Sequence, residues 1–213
     1  YEQSEFISFD DGMIRGSNFD TSYGFGLRGV IGDTTGYGFS SDISMSSLKR
    51  AAETINIAKQ GTNTNQKLEE NHNSYPKLYI EDNPLLDFAF PDKVKLLSDI
   101  DAYIRGKNPY VKQVNTSIGG SWQVVKIIRK DGQVIDDFRP MVRLNISVTL
   151  EKNGRSESGS YGGGGRIKYD NFFNTSNWQS YADEALRQAL VNLESIPAPA
   201  GEMPVILGSG WPG

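Results

Sequence analysis

Between Met141 and Glu151 the chain alternates without a break: Leu144, Ile146, Val148 and Leu150 stand against Arg143, Asn145, Ser147 and Thr149. Successive side chains of a strand point to opposite faces, so this pattern is a half-buried strand, one face dry and the other wet. A sheet of such strands has one apolar face to cover, and amphipathic helices elsewhere in the chain are the natural cover.

Neighbouring stretches supply the partners. Val111 to Thr116, Trp122 to Arg129, Gln133 to Phe138 and Ser156 to Tyr161 read as strands. Lys130-Asp131-Gly132 and Asn153-Gly154 read as hairpin turns, because Asp-Gly and Asn-Gly tolerate the positive φ that tight turns need. Residues 1–42 read as a β-meander. One strand through Phe6 and Ser8 ends at Asp10-Asp11-Gly12 and returns over Met13 to Ser17. Tyr23 to Ile31 places large residues against Gly or Arg, turns at Gly32 to Gly36, and returns over Tyr37 to Ser40. Small residues on one face of such a strand let another backbone approach closely.

Three segments have helical spacing. Leu48, Ala51, Ala52, Ile55 and Ala58 form one stripe, capped by Ser44 or Ser46. Pro91 opens a second, through Val94, Leu97, Ile100 or Asp101, and Ile104, with Gly106 as its C-cap. The third carries Trp178, Tyr181, Ala182, Ala185, Leu186, Ala189, Leu190 and Leu193, capped by Ser176 or Asn177 and stopped before Pro197 and Pro199. Met203 to Leu207 then reads as a short buried strand. The order of hairpin, hairpin and helix occurs twice, over roughly 1–60 and 120–195, at an offset of about 120 residues. The expected fold is α+β: a mostly antiparallel sheet built from two β-meander-plus-helix repeats that share it, helices mainly on one face. Residues 60–76 are polar and rich in Asn, Thr and Gln, and read as a long, partly disordered surface loop.

Composition narrows the function classes. The chain has 213 residues, 37% hydrophobic and 23% charged, with net charge -4 and pI about 5.1. No basic block argues for nucleic acid, and no apolar run is long enough to span a membrane. The absence of cysteine excludes a disulfide framework and fits the cytoplasm. The chain opens on Tyr1, already in a strand-like pattern, and closes on an apolar stretch, two glycines and Trp211-Pro212-Gly213; both ends read as interruptions of a longer protein.

The chemistry-bearing residues are few. His72 is the only histidine and has only Glu69 and Glu70 beside it, so a self-contained zinc site or a nucleophile–histidine pair is not expected. Asp10, Asp11, Asp136 and Asp137 read as turn formers rather than acid–base pairs; Arg28 and Arg143 could pair with them at the surface. Tyr103, Tyr110 and Trp122 read as packing residues. Gly162-Gly163-Gly164-Gly165-Arg166 lacks the Lys-Ser/Thr of a phosphate loop. It reads as a flexible loop, as a strand edge closely approached by another backbone, or as an edge that offers bare N–H and C=O groups to an extended peptide. These five residues are the peptide-binding candidates; no residue is assigned a catalytic or metal-binding role.

The string APAGEMPVILGSGWPG at 198–213, with the helix from 185 before it, resembles the segment that precedes the metal helix in the TldD branch of the TldD/PmbA, or gyrase-modulator, metallopeptidase family. FISFDDGMIRG and YGFGLRGVIGDTTGYGFSSD, followed by a helix, resemble its N-terminal region more loosely. The family often carries Gly-Gly-Gly-Arg where this chain has 163–166. The resemblance implies the N-terminal portion of a peptidase that cleaves small proteins or peptides. Its metal, zinc, would be held by a His-Glu-x-x-x-His helix that this chain does not contain, the Glu acting as general base on a metal-bound water. It also implies pairing with an identical chain or with a PmbA-like relative, and a wall of a peptide chamber as this portion's task. Glu202, in the lead-in to that helix, could approach the metal, or cap the turn after Pro199. The alternatives are the N-terminal half of a non-catalytic PmbA-like partner that only binds peptides, and a stand-alone peptide-binding module.

Overall fold

The alternating stretches form long antiparallel strands in the computed structural model, which describes residues 1–56, 71–72, 77–206 and Gly208. Strands β1 (Glu2–Asp10), β2 (Met13–Ser22), β6 (Val111–Ile128), β7 (Gln133–Lys152) and β8 (Arg155–Gly165) lie in the spatial order β2-β1-β6-β7-β8. The two-residue strand β5 (Asn71–His72) runs parallel to the start of β7, against Gln133 and Val134. Strands β3 (Phe25–Ile31) and β4 (Thr34–Ser40) pair with each other as a separate two-stranded sheet. Among the described residues the α-helices are α1 (Met45–Asn56), α2 (Phe90–Lys107), the single turn α3 (Asp170–Phe173) and α4 (Thr175–Leu193).

The α+β reading therefore holds, with one correction of arrangement. The first repeat does not run as one meander in the shared sheet, because Tyr23-Gly24 separates β2 from β3 and β3–β4 stands as its own hairpin under α1.

Two expected breaks are also absent. The strands expected separately over 111–116 and 122–129 form one strand, β6, through Gly119-Gly120, and those over 133–138 and 141–151 form β7 through Arg139-Pro140. Pro140 pairs opposite Trp122, in the part of β7 that precedes the β8 pairing at Val142. A proline is tolerated where the ladder beside it has no second partner. Gly120 is a socket instead: a Cβ there would lie 2.5 Å from Tyr169 Oη and 2.9 Å from Leu85 Cδ2.

Helix ends differ by a residue or two. Gly106 lies inside the last turn of α2, whose C-cap is Asn108. The cap of α4 is Asn174, whose side chain accepts from the Ser176 N–H at 3.1 Å. Ser44 caps α1 as expected, its Oγ accepting from the Ser47 N–H at 3.3 Å. Residues 203–206 form no strand, and Ile206 is 96% exposed. The polar loop at 60–76 lies outside the described residues except for Asn71 and His72, which sit in β5.

The core fills the space between the inner sheet face and α2 and α4. Ile7, Phe9, Val114, Ile118, Leu144, Ile146 and Val148 meet Leu97, Ile100, Ile104, Ala182, Ala185 and Ala189. One charged pair lies within it. Lys93 of α2, 2% exposed, donates to Glu5 Oε1 of β1 and, at 2.9 Å, to the Leu85 carbonyl; its ammonium also sits 4.8 Å from the centre of the Tyr169 ring. Tyr169 is fully buried, and its Oη lies beside Glu5 without a well-formed hydrogen bond. Burial first, and the Glu5 charge second, push the phenol far above its ordinary range.

Removing one partner of a buried pair strands the other charge, which costs about 3–5 kcal/mol. Lys93→Met and Glu5→Gln should each lower the urea midpoint accordingly, and the joint replacement of Lys93 by Met and Glu5 by Leu should recover most of the loss. Tyr169 gives a pH signature. Its folded pKa lies above the unfolded value of 10.0, so its contribution is complete below that pH and is lost as pH rises beyond it. Stability measured between about pH 9 and 11.5 should fall more steeply in the native chain than in Tyr169→Phe.

Candidate functional site

The glycine run is neither loop nor turn: Gly162 to Gly165 are the last four residues of β8. They pair with Asn145, Leu144, Arg143 and Val142 of β7 in that order. Each face of this strand end explains why side chains are missing. On the helix face, a Cβ at Gly159 would lie 2.3 Å from both Ala185 O and Ala189 N, and one at Gly163 would lie 2.4 Å from Tyr181 Oη. On the outer face, a Cβ at Gly162 would lie 2.6 Å from Leu144 O, and one at Gly164 2.2 Å from Val142 O. Real Cβ atoms do not approach backbone atoms so closely, so glycine is demanded by α4 at Gly159 and by β7 at Gly162 and Gly164.

The same strand is the outer edge of the sheet among the described residues, since β8 pairs only with β7. Asn192 Nδ2 donates to the Ser158 carbonyl at 2.8 Å, which occupies that edge near the strand's start. The two-residue period then turns the N–H and C=O groups of Ser160, Gly162 and Gly164 to the same side. Beyond the Asn192 contact, the glycine end is the accessible length of edge.

A cavity of about 350 Å³ opens on the polar sheet face beside this edge. Asn115, Arg143, Asn145, Ser147, Ser160 and Gly162 line it. Arg143 Nε donates to Asn145 Oδ1 at 2.7 Å, and Arg143 forms no ion pair among the described residues. A lone guanidinium among amides and hydroxyls, next to unpaired backbone, can hold an extended peptide and one carboxylate.

The five predicted residues are only partly brought together. Gly162 lines the cavity and Gly163 to Gly165 continue the edge, whereas the Arg166 guanidinium stands over the Tyr79 ring at 4.7 Å. The cavity's cation is Arg143 instead, one strand away. The sequence put Arg143 in the wet set of the 143–150 alternation, but only strand pairing brings it opposite Gly164.

The aspartates do other work. Asp11, at φ 48° in the β1–β2 turn, accepts from Arg105 Nη2 of α2, and Arg105 Nε reaches Asp101 at 3.2 Å. Lys126 meets Asp136 at 2.9 Å across the β6–β7 ladder, and Arg139 meets Asp137 at 2.6 Å. Neither Arg28 nor Arg143 takes these roles. Tyr103 packs edge-on to Trp178 at 5.3 Å, and Trp122 Nε1 donates to the Glu81 carbonyl at 3.0 Å. Glu202 is exposed. Among the described residues no group of three His, Cys, Asp or Glu could hold a metal ion, so the donor set does not fit a zinc site.

A mostly antiparallel sheet with helices on one face and a glycine-rich edge strand defines this α+β chain, and known proteins share that architecture. The domain described as "PmbA/TldA metallopeptidase domain 1" matches residues 1–58, and "PmbA/TldA metallopeptidase central domain" matches residues 83–193. The chain belongs to this TldD/PmbA family of metallopeptidases. It is 39% identical to the metalloprotease TldD homolog of Haemophilus influenzae over 99% of its length and 45% of that relative's. With the TldD homolog of Buchnera aphidicola subsp. Schizaphis graminum it shares 34% identity over 97% of this chain and 44% of the relative. It thus spans less than half the length of these relatives. The fold resembles that of a Thermotoga maritima protein described as a DNA gyrase modulator, with TM-score 0.69 at 12% identity over 94% of this chain and 44% of the other. It also resembles TldE from Thermococcus kodakarensis, with TM-score 0.62 at 13% identity over 89% of this chain and 42% of the other.

The glycine geometry separates positions that need glycine from one that does not. Gly164→Val should destabilise the chain by about 1–3 kcal/mol through overpacking on β7. Gly165→Ala should be close to neutral, because nothing lies within 4 Å of its added Cβ. Thermal unfolding of the two variants checks the contrast.

Proposed function

We propose that this chain is the N-terminal, non-catalytic portion of a TldD-like metallopeptidase that cleaves small proteins or peptides. The observation that carries the reading is similarity to metalloprotease TldD homologs at 33–39% identity over 96–99% of the chain. The metal, zinc in this reading, is bound by groups elsewhere in the parent protein. This portion contributes a wall of the peptide chamber: a substrate strand lies along Ser160, Gly162 and Gly164 of β8, and Arg143 receives a carboxylate from it. A dimer surface, toward an identical chain or a PmbA-like relative, and a cytoplasmic location complete the proposal. Among the described residues no helix is long and apolar enough to cross a membrane.

A second reading, a non-catalytic PmbA-like partner, draws support from the matching domain models, which are described for PmbA and TldA together. Relatives named as TldD homologs favour the peptidase side.

The test uses the full-length parent protein. It should hydrolyse an unstructured peptide, lose that activity on chelation and regain it with zinc, while the 213-residue chain alone hydrolyses nothing. Arg143→Ala in the parent should raise KM about fivefold with kcat little changed, the pattern of lost uniform binding. Hydrolysis that survives chelation overturns the metallopeptidase reading; an unchanged KM removes Arg143 from the chamber.

A further inference from the structure

A second edge strand of this chain borders a second cavity, far from the glycine run in sequence. Strand β4 is hydrogen-bonded to β3 on one side only, so its other edge presents free N–H and C=O groups among the described residues. Alongside that edge runs α1. Between them is a groove of about 310 Å³, lined by Tyr37, Phe39 and Ser40 from the strand and by Ser47, Arg50 and Thr54 from the helix. The helical set recurs at three- and four-residue steps, so it is one continuous helix face turned to the groove.

The floor is set by a close contact. A Cβ at Gly38 would lie 3.0 Å from Ala51 O and 3.2 Å from Ala51 Cβ, so the helix sits directly on the strand. On the opposite face of the hairpin, Tyr37 and Phe39 stand with their rings 6.1 Å apart and 63% and 78% exposed. Tyr37 leans across to Gly26 of β3, and Phe39 is left in water on the strand that carries the open edge, where its ring offers apolar contact to a ligand running along that edge.

The groove also carries a held cation. Arg50 Nη2 donates to Ser47 Oγ at 2.8 Å, and Ser47 Oγ donates to Asp42 Oδ2 at 2.6 Å. Asp42 is further engaged by the Ser44 N–H at 3.0 Å and the Ser44 hydroxyl at 2.7 Å. Asp42 thus orients Arg50 through Ser47 without pairing with it, and Arg50 forms no ion pair among the described residues. The remaining guanidinium N–H groups have no partner among the described residues, and a planar carboxylate is the group their fork matches.

We infer that the groove between β4 and α1 is a strand-addition site for an extended peptide that places a free carboxylate on Arg50. Backbone pairing to β4 supplies the register, and the exposed Phe39 ring takes an apolar side chain. The carboxylate, at the peptide's C-terminus, supplies direction. In the peptidase proposed above this is an anchoring site apart from the β8 edge. It rests on the geometry of β3, β4 and α1 alone and would stand without the chamber.

Fluorescence anisotropy on the 213-residue chain tests it with three labelled heptapeptides of alternating Val and Thr: a free C-terminal acid, its amide, and an acid N-methylated at alternate amides. Both protein substitutions, Arg50→Gln and Thr54→Trp, fall at exposed positions of α1, so folding is not at stake. The acid should bind about tenfold tighter than the amide, Arg50→Gln should erase that preference, and Thr54→Trp or N-methylation should abolish binding. Equal binding of acid and amide, binding that tolerates N-methylation, or an acid preference that survives Arg50→Gln overturns the inference. An acid preference lost in Arg143→Ala but kept in Arg50→Gln puts the peptide on the β8 edge, which overturns the groove and leaves the chamber proposal intact.

Discussion

The Lys93–Glu5 pair fixes how the helical layer meets the sheet. An ammonium and a carboxylate taken out of water must stay together, and each here belongs to a different layer: α2 carries Lys93 and β1 carries Glu5. The Leu85 carbonyl occupies a second donor position on the ammonium, and the Tyr169 ring covers it. Those residues come from the connection before α2 and the connection after β8. Four separated parts of the chain therefore converge on one charge. Apolar packing alone would tolerate small slides of α2 along the sheet; a desolvated ion pair does not, because any slide exposes an unpaired charge to an apolar surrounding.

The pair also accounts for a glycine that sequence pattern alone reads as a break. Gly120 sits opposite Glu5 in the β1–β6 ladder, and its missing side chain is the space that Tyr169 Oη and Leu85 fill. Sequence rules penalise glycine in a strand because they weigh the local chain. Here the tertiary gain, closure over a buried ion pair, outweighs the local cost. Pro140 is the parallel case in β7, where the unpaired stretch beyond β8 removes the usual penalty.

These examples mark how far the sequence was legible. Period-two alternation located β7 and its wet and dry faces, because one face of that strand is fully buried and the other is in water. Helical stripes located α1, α2 and α4 to within a turn. What the pattern could not give was partnership across the chain: that β3–β4 pair apart from the main sheet, that Arg143 rather than Arg166 faces the cavity, and that Lys93, an ordinary helix lysine by sequence, is buried. Each depends on which strand lies beside which, and pairing over a hundred residues leaves no local trace. The glycine run was visible as composition, but its place inside β8 depended on α4 and β7 closing on it from both sides.

Both hairpin-and-helix units solve the same packing problem, and the comparison shows where function has room. Helix α1 lies on Gly29, Gly36 and Gly38 through Ile55 and Ala51, and α4 lies on Gly159 and Gly163 through Ala185, Ala189 and Tyr181. In each unit the strand has given up side chains so that a helix backbone can come close, and those glycines are committed to the fold. A helix seated so near its hairpin runs beside the outer strand's free edge. At β4 the cavity lies between the strand edge and α1, with Arg50 as its cation; at β8 it opens on the face away from α4, with Arg143 as its cation. The close helix seat thus accounts for those glycines of each hairpin. The residues that tell the two edges apart are the arginines and the side chains around them rather than the glycines they share.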